Sequence, residues 1–301
     1  MPFIVLNNYS TIVYFLLTIW SIFLSSIFLK GNNLGHFYYS IKCLIYVYIF
    51  AILIYLYFTY GKYPLGYHLE YMISDKVSAN GVTSFLNIIL GVYTALRMKL
   101  ENKNSLIISL VSLYITIEGY GRGSIVFVLI MIIINLTFIF FHLKRTQKVF
   151  FIGICILLMF ILFPNIYEIY QSTKLASGFE SPRIIIFYEY LNKIDSFSLF
   201  FGASYENTII ERLYNNNPHI TYIRTHHIFG LFYLLGITYM IFEKILYVIF
   251  SKKLVNWMIL FILINILIRT ITEPLLFPSM FDSLFIVTLF LITKEIRKEK
   301  I

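Results

Sequence analysis

The sequence predicts an all-α, polytopic helical membrane protein of about nine transmembrane helices, with one long outer loop bearing short amphipathic helices. Three observations predict it. Apolar residues make up 59% of the chain, and the mean hydropathy is +0.80. Charged residues are only 13%, about half of the roughly 25% that a soluble domain carries. The apolar residues also run continuously over lengths near the ~20 that a helix needs to cross a bilayer, without the alternation of a transmembrane β-strand. Aromatic residues reach 19%, more than one soluble core could hide. Soluble, disordered and collagen-like classes are excluded.

In chain order, the strong apolar runs are 9–29, 41–60, 123–143, 149–167, 228–250 and 275–293. Weaker runs at 81–97, 105–120 and 255–268 carry Asn87, Thr94, Ser105, Ser112 and Asn256. Such residues belong on helices that face protein or water rather than lipid. No repeat or linker divides the chain, so residues 1–301 read as a single membrane domain. Its long polar stretch, about 168–226, holds Pro182, Pro218 and the run Asn215, Asn216 and Asn217. A loop of that length in a compact protein is functional or disordered. Within it, 184–187 and 197–201 are apolar and are expected as short helices at the membrane surface. Cys43 and Cys155 each sit in an apolar run and are expected as small core or lipid-facing residues.

Charge then gives sidedness. Fifteen of the 24 Lys and Arg residues fall in the short connections at 30–42, 97–103, 144–148, 244–253 and 294–300. The positive-inside tendency makes that side cytoplasmic, with the C-terminus inside and the N-terminus outside. The net charge of +9 is therefore topological, and no nucleic-acid partner is expected. On the opposite side arginine outnumbers lysine: Arg122, Arg183, Arg212, Arg224 and Arg269. The planar fork of arginine grips phosphate with two parallel hydrogen bonds and stays ionised when partly buried. Arginine placed against the topological trend points to an anionic ligand such as a diphosphate. The alternative is salt bridging to outer carboxylates such as Glu180, Glu189 and Glu211.

Two local constellations carry the candidate chemistry. Arg122 lies in the break 118–124, between Gly121 and Gly123, where glycine lets the backbone bend and approach a ligand. A tight turn between two helices, with Arg122 paired to Glu118, is the other reading. The second constellation runs from His219 through Arg224, His226 and His227 to Gly230, just before a strong span. Histidine takes up a proton near neutral pH and could deprotonate a substrate hydroxyl at the water–membrane boundary. The pair could equally be polar residues of the interface. The spacing of His219, His226 and His227 matches no common zinc pattern. Asp282 is the one carboxylate well inside an apolar run, a thin basis for a transporter.

These elements, in this order, resemble the bacterial O-antigen polymerase and O-antigen ligase superfamily over about 105–250. Gly121-Arg122-Gly123-Ser124 is similar to the family's Ser-Arg-Gly element at the outer end of a mid-chain helix. Ser181-Pro182-Arg183 followed by Phe200-Phe201-Gly202 is similar to its large-loop pattern. His226, with Phe229 and Gly236 after it, is similar to its His-Asn element, and His227 stands where the family often has Asn. The resemblance implies a metal-independent glycosyltransferase without a cofactor, acting on lipid-diphosphate-linked oligosaccharides at the outer face of the cytoplasmic (inner) membrane. It assigns Arg122, Arg183 and Arg224 to the diphosphate, His227 to substrate binding and His226 to proton acceptance as the catalytic residue. The partners it implies are the lipid-linked oligosaccharide, the membrane, and a chain-length regulator and flippase of the same pathway. A ligase that moves the finished glycan, or a flippase or transporter of lipid-linked sugars, is the alternative.

Overall fold

The computed structural model describes residues 9–30, 33–59, 61–62, 69, 72, 79–119, 121–155, 157 and 183–293. It is 81% helical and has no strand among the described residues. Among the described residues twelve helices follow in order, the first six being α1 Tyr9–Phe28, α2 Asn33–Thr59, α3 Ala79–Glu101, α4 Leu106–Glu118, α5 Arg122–His142 and α6 145–155. The remaining six are α7 Arg183–Leu191, α8 Ser196–Phe201, α9 Ile209–Tyr214, α10 Thr221–Ser251, α11 Leu254–Thr270 and α12 Asp282–Leu291. Two compact units divide the chain: Met1–Tyr39 with Ser181–Ile301, and Ser40–Glu180.

Four helices, α2, α3, α5 and α10, are long and apolar enough to cross a membrane among the described residues, against the nine spans expected. The apolar part of α1, together with α4, α11 and α12, is shorter. The run expected at 149–167 lies largely outside the described residues. The run expected at 275–293 becomes a helix only from Asp282, because 271–281 is a loop containing Pro274 and Pro278. Ten residues of helix cover about 15 Å at 1.5 Å per residue, half a hydrocarbon core.

In the unit Ser40–Glu180, α3, α4 and α5 pack on one another around a polar centre. Asn135 Oδ1 accepts from the Ser105 backbone N–H at 2.7 Å, and Asn135 Nδ2 donates to Ser109 Oγ at 3.2 Å. Thr94 Oγ1 and Ser105 Oγ share a hydrogen bond of 2.6 Å. Asn87, Thr94, Ser105 and Ser112 are all buried, as expected of helices that face protein. Large apolar side chains such as Phe50, Tyr57, Ile107 and Ile133 point outward instead. Polar inside and apolar outside is the order a bilayer selects, since lipid gives apolar side chains no reason to hide. Interhelical hydrogen bonds in that setting contribute only about 0.6 kcal/mol each, so the network sets register as much as stability.

The turn between α4 and α5 is tight because α3 crosses it closely. A Cβ on Gly119 would lie 2.6 Å from Thr83 Cγ2, and one on Gly121 would lie 2.8 Å from Asn80 Oδ1. Ser124 Oγ donates to Thr83 Oγ1 at 2.9 Å across the same contact. These two glycines therefore serve helix packing.

In the other unit, α1 packs on α12, and Ser25 Oγ donates to the Ser283 carbonyl at 3.1 Å. Helix α11 packs on both α10 and α12. The short helices expected at 184–187 and 197–201 correspond to α7 and α8, and α9 is a further one that the sequence reading did not name. Ile184, Ile185, Phe187, Phe197 and Phe200 are exposed on α7 and α8, the apolar face that an interfacial helix lays on lipid. Asn256 is buried at the start of α11. Cys43 is exposed and Cys155 half-buried, neither in a disulfide.

Candidate functional site

Helix α10 is two helices joined at Gly230, whose φ of 71° and ψ of −169° break the helical path. The 21 residues after the break cover about 31 Å, enough for a hydrocarbon core. The nine residues before it, 221–229, form a separate short helix that carries Arg224, His226 and His227. The expected loop boundary near 226 is thus a helix already under way. The glycine that matters is Gly230: Gly236, singled out by the family pattern, has nothing within 4 Å of where a Cβ would be.

Two glycines bring α8 against this short helix. Gly202 ends α8 with φ 96°, and a Cβ there would strike the carbonyl oxygens of His226 and His227. A Cβ on Gly230 would strike the Phe200 carbonyl. Only glycine permits these positive-φ conformations together with main-chain contact on both sides. Phe200 then stacks on Phe232, just beyond the break, at 5.5 Å between ring centroids. Asp195 starts α8 by accepting from the N–H groups of Phe197 and Ser198 at 3.0 and 2.7 Å, and Ser198 Oγ accepts from the Asp195 N–H at 2.8 Å. These hydrogen bonds hold the exposed Asp195 carboxyl below its usual range.

The loop 271–281 clasps the other side of the short helix. Thr221 Oγ1 donates to the Glu273 carbonyl at 2.9 Å, and Thr225 Oγ1 donates to the Phe277 carbonyl at 2.5 Å. Arg224 Nη2 donates to the Pro278 carbonyl. Asp282 holds the loop in shape by accepting from the N–H groups of Phe277 and Ser279, each at 2.9 Å. The carboxylate that suggested a transporter from sequence is a brace for this loop.

The two histidines have different surroundings. His226 is 6% exposed, and both of its ring nitrogens meet protein groups. Nε2 lies 2.8 Å from the Leu199 carbonyl, and Nδ1 lies 2.8 Å from Tyr190 Oη. A carbonyl only accepts, so Nε2 carries the hydrogen and neutral Nδ1 accepts from the phenol. Burial raises the pKa of Tyr190, with the Ala203 backbone acting in the opposite direction, so Tyr190 keeps its proton. His227 Nδ1 donates to the Ala203 carbonyl at 2.6 Å, which places the lone pair of the neutral ring on Nε2. The ring lies flat on Tyr205, with centroids 3.8 Å apart and planes 16° from parallel.

His227 and Arg224 both line a cavity of about 750 Å³. Tyr14, Lys193, Ser204, Tyr205, Glu206 and Asn207 also line it. Two polar atoms beside it, Tyr205 Oη and Arg224 Nε, are buried without a hydrogen-bond partner among the described residues. A space bordered by hydroxyls, amides, carboxylates and aromatic rings suits a polyhydroxylated ligand, which needs donors, acceptors and flat apolar faces at once.

The remaining predicted residues are placed elsewhere. Arg183 opens α7, and its Nη2 lies 3.4 Å from Glu273 Oε1. Buried Arg269 Nη2 lies 4.0 Å from the same carboxylate oxygen, so two guanidiniums share one negative charge. His219 has a lowered pKa, first through burial and then through Arg183, while Glu273 acts in the opposite direction. Arg212 lies 3.7 Å from Glu189, as the salt-bridge reading expects. Arg122 belongs to the other unit, where it opens α5 after Gly121. Arg224, His226 and His227 are thus brought together. Tyr190, Tyr205 and the Leu199 and Ala203 carbonyls were not singled out from sequence, since a partner tens of residues away leaves no spacing pattern. Gly230 did have a local signal, a glycine between a histidine pair and a span. No family model matches this chain, and no curated protein or solved structure shows significant similarity to it.

Proposed function

We propose that this chain is a polysaccharide polymerase of the O-antigen or capsule type, a membrane glycosyltransferase that joins polyprenyl-diphosphate-linked oligosaccharide units. It works on the outer face of the cytoplasmic membrane, with the N-terminus outside and the C-terminus in the cytoplasm. The observation that carries this reading is a cavity of about 750 Å³ that Arg224 and His227 both line. A cation and a proton acceptor beside one polar space are what glycosyl transfer from a diphosphate requires. The cation offsets charge on the leaving group, and the imidazole takes the proton of the acceptor hydroxyl. Arg183 is assigned to the diphosphate with Arg224, and the resemblance to the polymerase and ligase superfamily supports that assignment. The chain-length regulator and flippase of the pathway are its proposed partners.

Complementation of a strain deleted for this gene tests the reading. Arg224→Ala and Arg183→Ala are expected to remove long polysaccharide chains from a gel ladder while single repeat units remain. Loss of all surface glycan would instead favour ligase or flippase. Unchanged ladders from both variants, at normal protein levels, would reject the site.

A further inference from the structure

We infer that His227, and not its neighbour His226, is the proton acceptor of the cavity, and that His226 is a positioning residue that fixes α8 against the short helix. This rests on the reading of the cavity as a site of glycosyl transfer. The family pattern points to His226, because that residue occupies the histidine position of the motif. Its surroundings argue otherwise. Nε2 of His226 is committed to the Leu199 carbonyl and Nδ1 to the Tyr190 phenol, each at 2.8 Å. A base needs a lone pair within reach of the proton it takes, and His226 has both nitrogens engaged in a buried site. Its hydrogen bonds instead connect Tyr190 on α7, the carbonyl of Leu199 on α8 and the short helix.

His227 has the complementary arrangement. Its Nδ1–H is held by the Ala203 carbonyl at 2.6 Å, which fixes the tautomer with its lone pair on Nε2. The same carbonyl stabilises the imidazolium once Nε2 is protonated, the role an orienting acceptor plays behind a catalytic histidine. Tyr205 stacked at 3.8 Å prevents the ring from tilting, and the cavity lies beside it.

The step balances simply. The acceptor hydroxyl gives its proton to His227 Nε2, and its oxygen forms the bond to the anomeric carbon of the lipid-linked donor. The bond from that carbon to the diphosphate oxygen breaks, and its electron pair leaves with the diphosphate, whose added charge faces Arg224. The proton on His227 then passes to water.

Two measurements test this separately from the overall function. Full-length protein in detergent is treated with diethylpyrocarbonate, which acylates an accessible imidazole lone pair, and the modified sites are read by peptide mass spectrometry. His227 is expected to react several times faster than His226. Equal rates, or faster reaction at His226, would overturn the inference. In the complemented strain, His227→Gln is expected to reduce transfer by about a hundredfold or more at unchanged protein level. A normal ladder from His227→Gln beside a lost ladder from Arg224→Ala would reject His227 as base and leave the polymerase reading standing. Selective acylation of His227, with no glycan change from any variant, would reject the polymerase reading and leave the assignment of the exposed lone pair in place.

Discussion

Gly119 and Gly121 sit beside Arg122, and Gly202 and Gly230 sit beside the histidine pair. In sequence the two settings look alike: a cationic or titratable residue near glycine at the edge of an apolar run. Their structural uses differ. Gly121 has an ordinary φ of −85°, and both glycines of the first pair press on side chains of α3. Gly202 and Gly230 have φ values of 96° and 71° and press on main-chain atoms. A side chain can move aside by changing rotamer. A carbonyl in a helix or its cap cannot. The first pair eases packing, whereas the second builds the joint on which the cavity depends.

Substitution by alanine should separate the two. Gly230→Ala is expected to have the largest effect, with about 1–3 kcal/mol of backbone strain and roughly as much again from overlap with the Phe200 carbonyl. Loss of the folded, monodisperse species on size-exclusion chromatography measures it. Gly119→Ala is expected to cost less, about 1–2 kcal/mol, because Thr83 Cγ2 is the atom that must give way. Thr83→Ser removes that methyl and keeps the hydroxyl for Ser124, so it should restore the melting temperature of the Gly119→Ala protein. A larger loss from Gly119→Ala than from Gly230→Ala would break the comparison.

The smallest effect is expected at Asp195, whose carboxylate caps α8 in full exposure. Its folded-state pKa is depressed by the hydrogen bonds it accepts. Its contribution is therefore complete above the ordinary aspartate value of about 3.9 and fades as pH falls through the lower folded value. Asp195→Asn should flatten the acid limb of a stability-versus-pH curve and leave the neutral region almost unchanged.

Much of the fold was legible because it depends on runs of one residue type. Continuous apolarity placed α1 to α5, α10 and α11 to within a few residues at most ends, and α2 began eight residues early at Asn33. Buried Asn87, Thr94, Ser105, Ser112 and Asn256 were readable as interior because a polar residue in such a run has few other places to go. The count of crossings was less legible. Composition does not say where a helix stops, and Pro274, Pro278 and the Asp282 brace halve the last apolar run. Arg224, His226 and His227 were readable as one cluster because they are close in sequence. Which histidine opens on the cavity was not legible. The answer lies in Tyr190, Leu199 and Ala203, which come near the histidines only through the close approach of α8 at Gly202 and Gly230.

The contact between Gly202 and the carbonyls of His226 and His227 has a practical corollary. It is made by atoms that every amino acid shares, so replacing either imidazole leaves the contacting groups in place. Chemistry at position 227 can therefore be altered while the main-chain contact at Gly202 is retained, whereas exchange at position 226 also removes the side-chain bonds to Leu199 and Tyr190. Under the proposed glycosyl transfer, side-chain exchange at position 227 then reads proton transfer with that main-chain contact intact.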